Sequence, residues 1–404
     1  MKRTLLMALA PGLLLCAMTA LAADTIVFGA AISITGKTAK EGEYTRDGYQ
    51  FAIDKINEMG GIKVGGKTYR VELKYYDDET KPERTAQLIE KLINEDKVNL
   101  ILGPYGSSPT GTAAPLCERY RIPMVEANGS AEAIFSKGYK YTFMILSPAK
   151  NYLRGVIETI IAKDPSAKTV AILGENEAFS KEVAGGAAEY AREKGLDVVY
   201  YELYPTNAQD VSALLTAIKG KNPHIILGSG HLQDSLLIVK QAKDLNVNPR
   251  AMGFSVGPSS PEFRANLGKA ADYIFGATQW TEALKYDGED AWKTPRAFGA
   301  AFRAKHPEYK IVPYQVAESA VAVIAYQKAI DKAGTIEPTK VRDALAALDM
   351  MTFYGKIKFD SRGVNIYKSM AAEQYQPDGN KYTVWPWDVA EKACLYPMPA
   401  WDKR

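Results

Sequence analysis

The sequence predicts an α/β protein with two lobes, each built on a parallel β-sheet that is covered by helices. The chain has 404 residues, which corresponds to roughly two to three domains of ordinary size. Hydrophobic residues make up 47% and charged residues 24%, the profile of a globular protein with a large core. Strand patterns and helix patterns alternate along the chain in more units than one sheet holds comfortably, so two lobes are the economical arrangement.

The alternation begins with a β-branched, apolar strand at residues 25–31 and helical spacing of apolar residues over 42–59. A hairpin with strands at 62–64 and 69–76 follows, and Pro82 opens a helix at 83–96. The next strand–helix units are predicted at 98–102 with 108–120, 123–125 with 130–135, 141–146 with 150–163, 169–173 with 180–194, 197–204 with 211–219, and 224–227 with 232–245. Later patterns indicate a strand at 251–254, helices at 315–332 and 338–348, and strands at 356–359 and 383–385.

The N-terminal segment has the pattern of a secretory signal peptide. A short basic region precedes a mostly apolar stretch at residues 5–20, and Ala20-Leu21-Ala22 supplies a cleavage site of small residues. The apolar stretch is short and Pro11 interrupts it, which argues against a membrane anchor. The sequence therefore predicts that residues 1–23 are removed and that the mature chain is exported to the periplasm.

The chain is poor in the residues that metal sites and nucleophilic catalysis need. It has 3 His and 3 Cys, all scattered, so we expect no metal, no cofactor and no His-based catalytic triad. A formal net charge of +3 gives no reason to expect a nucleic acid partner. Export leaves Cys117 and Cys394, and the sequence does not decide between one disulfide and two free thiols.

Two glycine-rich motifs resemble nucleotide sites and fail in context. The segment 61–68 matches the P-loop pattern, but a helix precedes it and a strand follows, the reverse of what phosphate binding needs. A hairpin turn is the better interpretation. The segment 228–233 lacks the third glycine of the dinucleotide fingerprint, although its position after a strand makes it a plausible cleft loop.

The strongest local signal is the polar turn at residues 103–110, which follows a buried strand and opens a helix. Hydroxyls and free N–H groups at a helix N-terminus suit a carboxylate or phosphate, although Ser108 and Pro109 also form an ordinary helix cap. A second turn of the same kind, residues 126–130, follows the next strand. Adjacent parallel strands end at one edge of a sheet, so the pair of turns favours ligand binding.

The sequence resembles the leucine/isoleucine/valine-binding type of exported solute-binding protein of ABC importers over essentially the whole mature chain. Each matching segment is short, but their order and spacing are specific. They are Ile26-Val27-Phe28-Gly29 with Thr35-Gly36; Gly42 and the helix to Ile53-Asp54-Lys55-Ile56-Asn57; Gly60-Gly61-Ile62; Tyr76-Asp77-Asp78; Ile101-Leu102-Gly103; Pro123-Met124-Val125; and Gly138-Tyr139.

The resemblance implies the type I periplasmic binding protein fold, in which two Rossmann-like lobes are joined by a three-crossing hinge and close on a ligand. It places the crossings near Ser147-Pro148, Ala277-Thr278 and Tyr354-Gly355. Lobe 1 would then comprise residues 24–147 and 278–354, and lobe 2 residues 148–277 and 355–404. Such proteins are not enzymes; they deliver a small molecule to the membrane permease of an ABC importer.

The resemblance also implies roles for single residues. Ser107 matches the serine that holds the ligand carboxylate, and Asn128 and Ser130 fall in the second carboxylate-binding turn. The acids that hold the ammonium group of amino acids are replaced by Ala149 and Ser255. A buried ammonium without a carboxylate is costly, so the sequence predicts a ligand other than an α-amino acid.

One acid and several aromatic residues complete the candidate site. Glu41 is a substitute acid that weakens the prediction against amino acids. The resemblance brings further side chains to the cleft: Tyr105, Tyr152, Phe179, His231, Trp280 and Tyr314, with Ser108 beside Ser107. Aromatic walls next to an anion-binding turn predict a small organic carboxylate, with an aromatic acid as one option. An amino acid, or a neutral amide or urea-like solute, is the alternative on the same fold.

Overall fold

The computed structural model describes residues 25–404, so the predicted signal peptide at 1–23 lies outside the described residues. The strands are β1 (Thr25–Ile32), β2 (Ile62–Val64), β3 (Lys67–Asp77), β4 (Leu100–Leu102), β5 (Met124–Glu126), β6 (Thr142–Met144), β7 (Thr169–Glu175), β8 (Asp197–Tyr204), β9 (Ile225–Ser229), β10 (Ala251–Phe254), β11 (Phe275–Thr278), β12 (Asp349–Thr352), β13 (Gly355–Lys358), β14 (Ala371–Tyr375) and β15 (Lys381–Trp385).

The α-helices are α1 (Ala39–Glu58), α2 (Pro82–Asn94), α3 (Ser107–Tyr120), α4 (Glu132–Phe135), α5 (Arg154–Lys163), α6 (Ala178–Glu193), α7 (Ser212–Lys221), α8 (Leu232–Asp244), α9 (Pro261–Leu267), α10 (Pro295–Lys305), α11 (Tyr314–Ala333) and α12 (Pro338–Ala346). Among residues 25–404, none of these helices is long and apolar enough to cross a membrane.

Two large sheets form the two lobes. The first has the strand order β2-β3-β1-β4-β5-β6 and is parallel except for the β2–β3 hairpin. The second has the order β15-β14-β11-β10-β9-β7-β8, with five parallel strands and an antiparallel β14–β15 pair at one edge. The P-loop-like segment 61–68 lies in the β2–β3 hairpin, where Val64 pairs with Lys67, as the sequence context predicts.

Each lobe buries its own core. The first core collects apolar residues from β1–β6 and from α1, α10 and α11, including Phe28, Phe51 and Tyr326. The second lobe packs helices on both faces of its sheet, around Ile172 and Leu227 on one face and Leu173 and Phe254 on the other. Cys117 belongs to the first lobe and Cys394 to the second, and both are free thiols.

The first two crossings between the lobes are bonded to each other. The backbone N–H of Ser147 donates to Oε1 of Gln279 over 3.1 Å, and Nε2 of Gln279 donates to the Ser147 carbonyl over 3.2 Å. Both residues are fully buried. The two strands of the hinge are therefore held side by side by one amide group.

The third crossing lies further along the chain than the sequence analysis placed it. Tyr354-Gly355 is part of the tight turn between β12 and β13, which pair antiparallel with Thr352 opposite Gly355. Val364 then bridges Met144 of the first sheet, and the chain enters the second core at Met370. The segment 355–364, expected in lobe 2, therefore packs with lobe 1, because the hairpin returns it to the first sheet.

Candidate functional site

The cleft lies where the strand order reverses in both sheets. In the first sheet, β1 and β4 are neighbours and their connections leave in opposite directions along the sheet; in the second, β7 and β9 are the corresponding pair. Such switch points open a crevice at the carboxyl ends of the strands, where α/β proteins bind ligands. The two crevices face each other across the hinge.

A cavity of about 290 Å³ lies between the lobes at these switch points. The first lobe contributes residues that follow β1, β3 and β4, and the second contributes residues that follow β7, β8 and β9. Four residues predicted from the sequence line it: Tyr105, Ser107, Ser108 and His231. The structure therefore brings these predicted residues to one interlobe space.

The turn between β4 and α3 presents two serine hydroxyls. Ser107 is the first residue of α3 and is buried; its Oγ accepts a hydrogen bond of 3.0 Å from the backbone N–H of Ala131. That bond uses a lone pair and leaves the Ser107 hydroxyl hydrogen available to donate. Ser108 Oγ is 3.2 Å from Oε2 of Glu177 in the second lobe. Ser107 is therefore the free donor at this helix N-terminus, whereas Ser108 contacts the opposite lobe.

The turn between β5 and α4 has one hydroxyl group without a partner. Ser130 is fully buried, and its Oγ has no hydrogen-bond partner among residues 25–404. Asn128 uses its donors inside lobe 1, because its backbone N–H points at Glu126 and its Nδ2 is 3.1 Å from Ser319 Oγ. The backbone N–H of Asn128 is therefore already used within lobe 1, and its Oδ1 is an acceptor without a partner among the described residues.

Four aromatic rings form a chain across the cleft. The Tyr105 hydroxyl lies 3.0 Å from Nδ1 of His231, and their ring centroids are 5.5 Å apart. His231 is followed by Phe179 at 5.4 Å, and Phe179 by Tyr152 at 5.0 Å. Tyr314 lies next to Tyr152. The structure thus groups five of the six predicted aromatic residues of the cleft into one buried wall.

Glu41 reaches from α1 to the second lobe. Its Oε1 accepts a 3.0 Å hydrogen bond from the backbone N–H of Leu232, the first residue of α8. Its Oε2 is buried and has no hydrogen-bond partner among the described residues. Burial raises the pKa of the Glu41 carboxyl, while His231 and the Leu232 N–H act in the opposite direction. Glu41 is therefore an acid with one free oxygen inside the cleft.

The Ser255 hydroxyl is bonded to the backbone and is not available to a ligand. Its Oγ accepts from the Gly230 N–H over 3.0 Å and donates to the Gly230 carbonyl over 2.8 Å. These bonds fix the β9–α8 turn that carries His231. Ser255 therefore acts on the cleft through that turn, and its only hydroxyl hydrogen is already used.

Trp280 does not join the cleft group, contrary to the sequence-based prediction. Its Nε1–H donates to the Phe353 carbonyl over 3.2 Å, and its ring packs edge-on against Phe298 in the first core. The chain has just left β11 at this point and enters lobe 1. The aromatic side chain is therefore used to fill the core where the second crossing arrives.

Gln315 and Glu318, two polar residues of α11, were not predicted from the sequence as site residues. Gln315 is fully buried and neither of its side-chain polar atoms has a hydrogen-bond partner in the described part of the chain. Glu318, one turn later, lies 3.3 Å from the Tyr354 hydroxyl. Burial raises the pKa of Glu318, and the nearby Lys368 ammonium opposes that shift. Polar residues inside an otherwise apolar helical run were the available signal.

The mouth of the cleft is acidic on the second lobe. Ligand atoms of Glu175, Glu177 and His231 all lie within 4.8 Å of one another, a spacing that suits a metal ion. Lys37 of the first lobe occupies this acidic side, with Nζ 2.6 Å from Glu175 and 2.9 Å from Asp234. Burial lowers the Lys37 pKa, but the two carboxylates outweigh it and raise the pKa overall. In this arrangement the lysine supplies the positive charge.

A two-lobed α/β chain with facing switch points, a triple hinge and a buried polar cleft has the architecture of the solute-binding proteins. Residues 25–380 match the family model described as "Periplasmic binding protein", and the chain belongs to that family. Its fold is the type I fold of the leucine/isoleucine/valine-binding proteins, a family of solute-binding proteins of ABC transporters.

Curated relatives cover nearly the whole chain. The chain is 29% identical over 343 residues to a leucine-, isoleucine-, valine-, threonine- and alanine-binding protein of Pseudomonas aeruginosa, covering 85% of this chain and 88% of that protein. It is 28% identical over 393 residues to Leu/Ile/Val-binding protein homolog 8 of Brucella suis, covering 93% of each.

Solved structures share the fold at lower identity. The substrate-binding protein LivJ of Streptococcus pneumoniae, in complex with isoleucine, has a TM-score of 0.77 and 23% identity, covering 93% of this chain and 100% of that one. A solute-binding protein of R. palustris in complex with benzoate has a TM-score of 0.74 and 18% identity, covering 93% and 97%. Neighbours of the same fold thus hold different small molecules.

Proposed function

We propose that this protein is the exported, periplasmic binding component of an ABC importer and captures a small organic carboxylate with an apolar or aromatic body. The observation that carries the proposal is the pair of buried hydroxyls in adjacent turns, Ser107 and Ser130. One keeps its hydrogen free to donate and the other has no partner within residues 25–404. Two hydroxyl donors beside the N-terminus of α3 form a site for an anion.

The aromatic wall supports an apolar body for the ligand. Tyr105, His231, Phe179 and Tyr152 provide ring surfaces from both lobes, and each is less than one-tenth exposed. Aromatic faces bind flat apolar groups and exclude water from them. Isoleucine and benzoate, the molecules held by two structural neighbours, each carry a carboxylate on an apolar body. Delivery to the membrane permease then follows as for other members of the family.

Glu41 favours a second candidate, a carboxylate that also carries an ammonium group. A buried carboxylate oxygen without a partner is costly, roughly 1–3 kcal/mol or more, and a ligand cation would satisfy it. This acid lies on lobe 1, whereas the acids that the resemblance implies would lie at the positions of Ala149 and Ser255. An α-amino acid held by Ser107, Ser130 and Glu41 is therefore the alternative ligand.

Calorimetric titration of the purified protein with benzoate and with leucine separates the two candidates. Ser107→Ala should weaken the binding of any carboxylate ligand by roughly 2 kcal/mol, about thirtyfold in Kd, because a charge-assisted hydrogen bond is lost. Ser136→Ala is the matched control, since the exposed Ser136 hydroxyl bonds, within residues 25–404, only the Ala133 carbonyl. Unchanged binding in Ser107→Ala would contradict the carboxylate site.

Glu41→Gln distinguishes the ligand classes within the same experiment. Gln keeps the shape and an acceptor for the Leu232 N–H but removes the negative charge. We expect benzoate to bind this variant as tightly as the wild type, and leucine, if it is the ligand, to lose at least tenfold. Tight leucine binding by the wild type with no benzoate binding would establish the amino acid candidate instead.

A further inference from the structure

Glu126 lies beneath the two turns that carry Ser107 and Ser130. It is the last residue of β5 and is completely buried. Its Oε1 accepts hydrogen bonds from the backbone N–H groups of Asn128 at 2.6 Å and Gly129 at 2.7 Å. Its Oε2 lies 2.9 Å from Thr110 Oγ1 on α3. One carboxyl group therefore joins the β4–α3 turn to the β5–α4 turn.

The hydrogen-bond network around Oε2 is short of one hydrogen if Glu126 is ionised. Thr110 Oγ1 lies 2.7 Å from the Gly106 carbonyl as well as 2.9 Å from Glu126 Oε2. A hydroxyl carries one hydrogen, and a carbonyl and a carboxylate only accept. A proton on Oε2 completes the network, because Glu126 then donates to Thr110 and Thr110 donates to Gly106. Oε1 remains the acceptor for the two backbone N–H groups.

The groups around Glu126 provide no positive charge to stabilise an ionised form. The titratable groups that face it are Tyr49 from α1, Cys117 from α3 and Glu318 from α11. Each of these groups is neutral when protonated and negative when ionised. Among the described residues, no group that faces Glu126 is a cation. Burial raises the pKa of Glu126 to about 7, against the hydrogen bonds from Asn128 and Thr110, which lower it. Geometry and surroundings thus agree on the neutral acid.

We infer that Glu126 is a positioning residue that holds the two carboxylate-binding turns together as a neutral acid, so that ligand affinity depends on its protonation. A neutral acid fixes both turns without placing a negative charge beneath an anionic ligand. When Glu126 is ionised, its negative charge and that of the ligand carboxylate lie on opposite sides of the same turns. The two charges repel each other, so the ligand binds less tightly. The positioning role is independent of the proposed function, whereas the effect on ligand affinity rests on it.

The first test needs no ligand. Because the pKa is higher in the folded protein than the ordinary value of 4.5, the stabilisation is present below about 4.5 and is lost as the pH rises through about 7. Glu126→Gln reproduces the neutral acid: Oε1 accepts and Nε2 donates to Thr110. Denaturant unfolding should show the wild type losing stability relative to Glu126→Gln between pH 5 and pH 8, by roughly 70-fold in the folding equilibrium constant.

The matched control is Asp78→Asn. Asp78 is another fully buried acid of lobe 1. Its hydrogen-bond donors in the described part of the chain are all neutral: Ser33 Oγ at 2.7 Å, Thr80 N–H at 3.0 Å and Thr85 Oγ1 at 2.8 Å. Burial raises its pKa as well, but it follows β3 and its hydrogen-bond partners belong to neither of the two turns. If the difference in free energy of unfolding between the wild type and Glu126→Gln is the same at pH 5 and at pH 8, the neutral-acid assignment is overturned.

The second test measures benzoate binding between pH 5.5 and 8.5. We expect the wild-type Kd to rise about tenfold over this range, because two charges several ångströms apart repel in a medium of intermediate dielectric constant. Glu126→Gln should bind with little dependence on pH, and Asp78→Asn should keep the wild-type profile. The same profile in wild type and Glu126→Gln would overturn the link to affinity. If benzoate and leucine both fail to bind, the proposed function fails, while the unfolding comparison still decides on Glu126.

Discussion

Gly42 sets the position of the cleft acid Glu41. A Cβ atom at Gly42 would lie 1.8 Å from the backbone oxygen of Ser33, so α1 approaches the end of β1 as closely as a residue without a side chain permits. The acid next to it then projects towards α8 of the other lobe. A single missing side chain thus determines how far Glu41 reaches.

Gly42→Ala should therefore destabilise the protein and Gly185→Ala should not. Overpacking against backbone typically costs 1–3 kcal/mol, and we expect a loss of about that size in denaturant unfolding, together with weaker ligand binding. Gly185 lies inside α6 with open space at its Cβ position, so alanine there should add about 0.5–1 kcal/mol of stability. A loss of stability in both variants would show that the close approach to Ser33 is not the cause.

Single residues of the site were predictable from the sequence where strand order alone places them. Ser107 and Ser130 follow adjacent parallel strands, and the structure brings both to the same sheet edge. Trp280 was assigned wrongly because aromatic character does not distinguish a cleft wall from a core. Gln315 was missed because its neighbours in the sequence are apolar. The helical period predicts a buried helix there, but it does not show whether the polar side chains of that helix face the core or the cleft.

At the level of elements, two helices begin with a glutamate that caps the backbone. Glu177 accepts from Phe179 N–H and Ser180 N–H at the start of α6, and Glu337 accepts from Thr339 N–H and Lys340 N–H at the start of α12. The α6 cap lies at the cleft mouth beside His231, whereas the α12 cap is exposed on lobe 1. The same glutamate cap thus occurs once at the cleft and once on the exposed surface of lobe 1.

Replacing each cap by alanine separates stability from binding. Both Glu177→Ala and Glu337→Ala should lower the free energy of unfolding by about 1 kcal/mol, since capping bonds are lost. Only Glu177→Ala should also weaken ligand binding, because Glu177 bonds the Phe179 N–H and contacts the Ser108 hydroxyl at the cleft. Thermal unfolding and calorimetry measure the two effects. Equal ligand affinity in both variants would contradict a role for the α6 cap in the cleft.

Most helices and parallel strands were predictable because the apolar period is strong in them. The exceptions were α9, α10, β11, β12 and β14. β14, with the sequence Ala371-Ala-Glu-Gln-Tyr375, has none of the β-branched residues that mark a strand, yet it lies between β11 and β15 and is wholly buried. Its strand conformation comes from pairing on both sides, a tertiary effect that local propensity does not contain.

In the whole molecule, contacts across the cleft hold the two lobes together. Lys37 bridges to Glu175 and Asp234, and Glu41 bonds the start of α8. Side-chain exposure is 18% for Lys37 and 4% for each acid, so these charges are largely removed from water. Ion pairs of this kind are sensitive to loss of one partner, because the remaining charges stay buried.

Lys37→Met should shift the protein towards an open form. Two buried carboxylates lose their cation on closing, so we expect the ligand Kd to rise about tenfold or more and the ligand-free radius of gyration from X-ray scattering to increase. Lys305→Met is the control, because Lys305 pairs with Asp54 within lobe 1 at 2.6 Å on the surface. Wild-type affinity in Lys37→Met would show that the bridge does not contribute to closure.

The three crossings between the lobes also determine the order in which the protein can assemble. Lobe 1 needs α10 and α11, which are translated only after five parallel strands of lobe 2, and lobe 2 needs β14 and β15, which come after the last segment of lobe 1. The core of lobe 1 can be completed once the chain reaches residue 364, whereas the core of lobe 2 is completed only when its last strands have been made. Until β14 and β15 are made, β11 is an unpaired edge strand of the second sheet, and we expect this edge to be the segment most prone to pairing with another chain during folding.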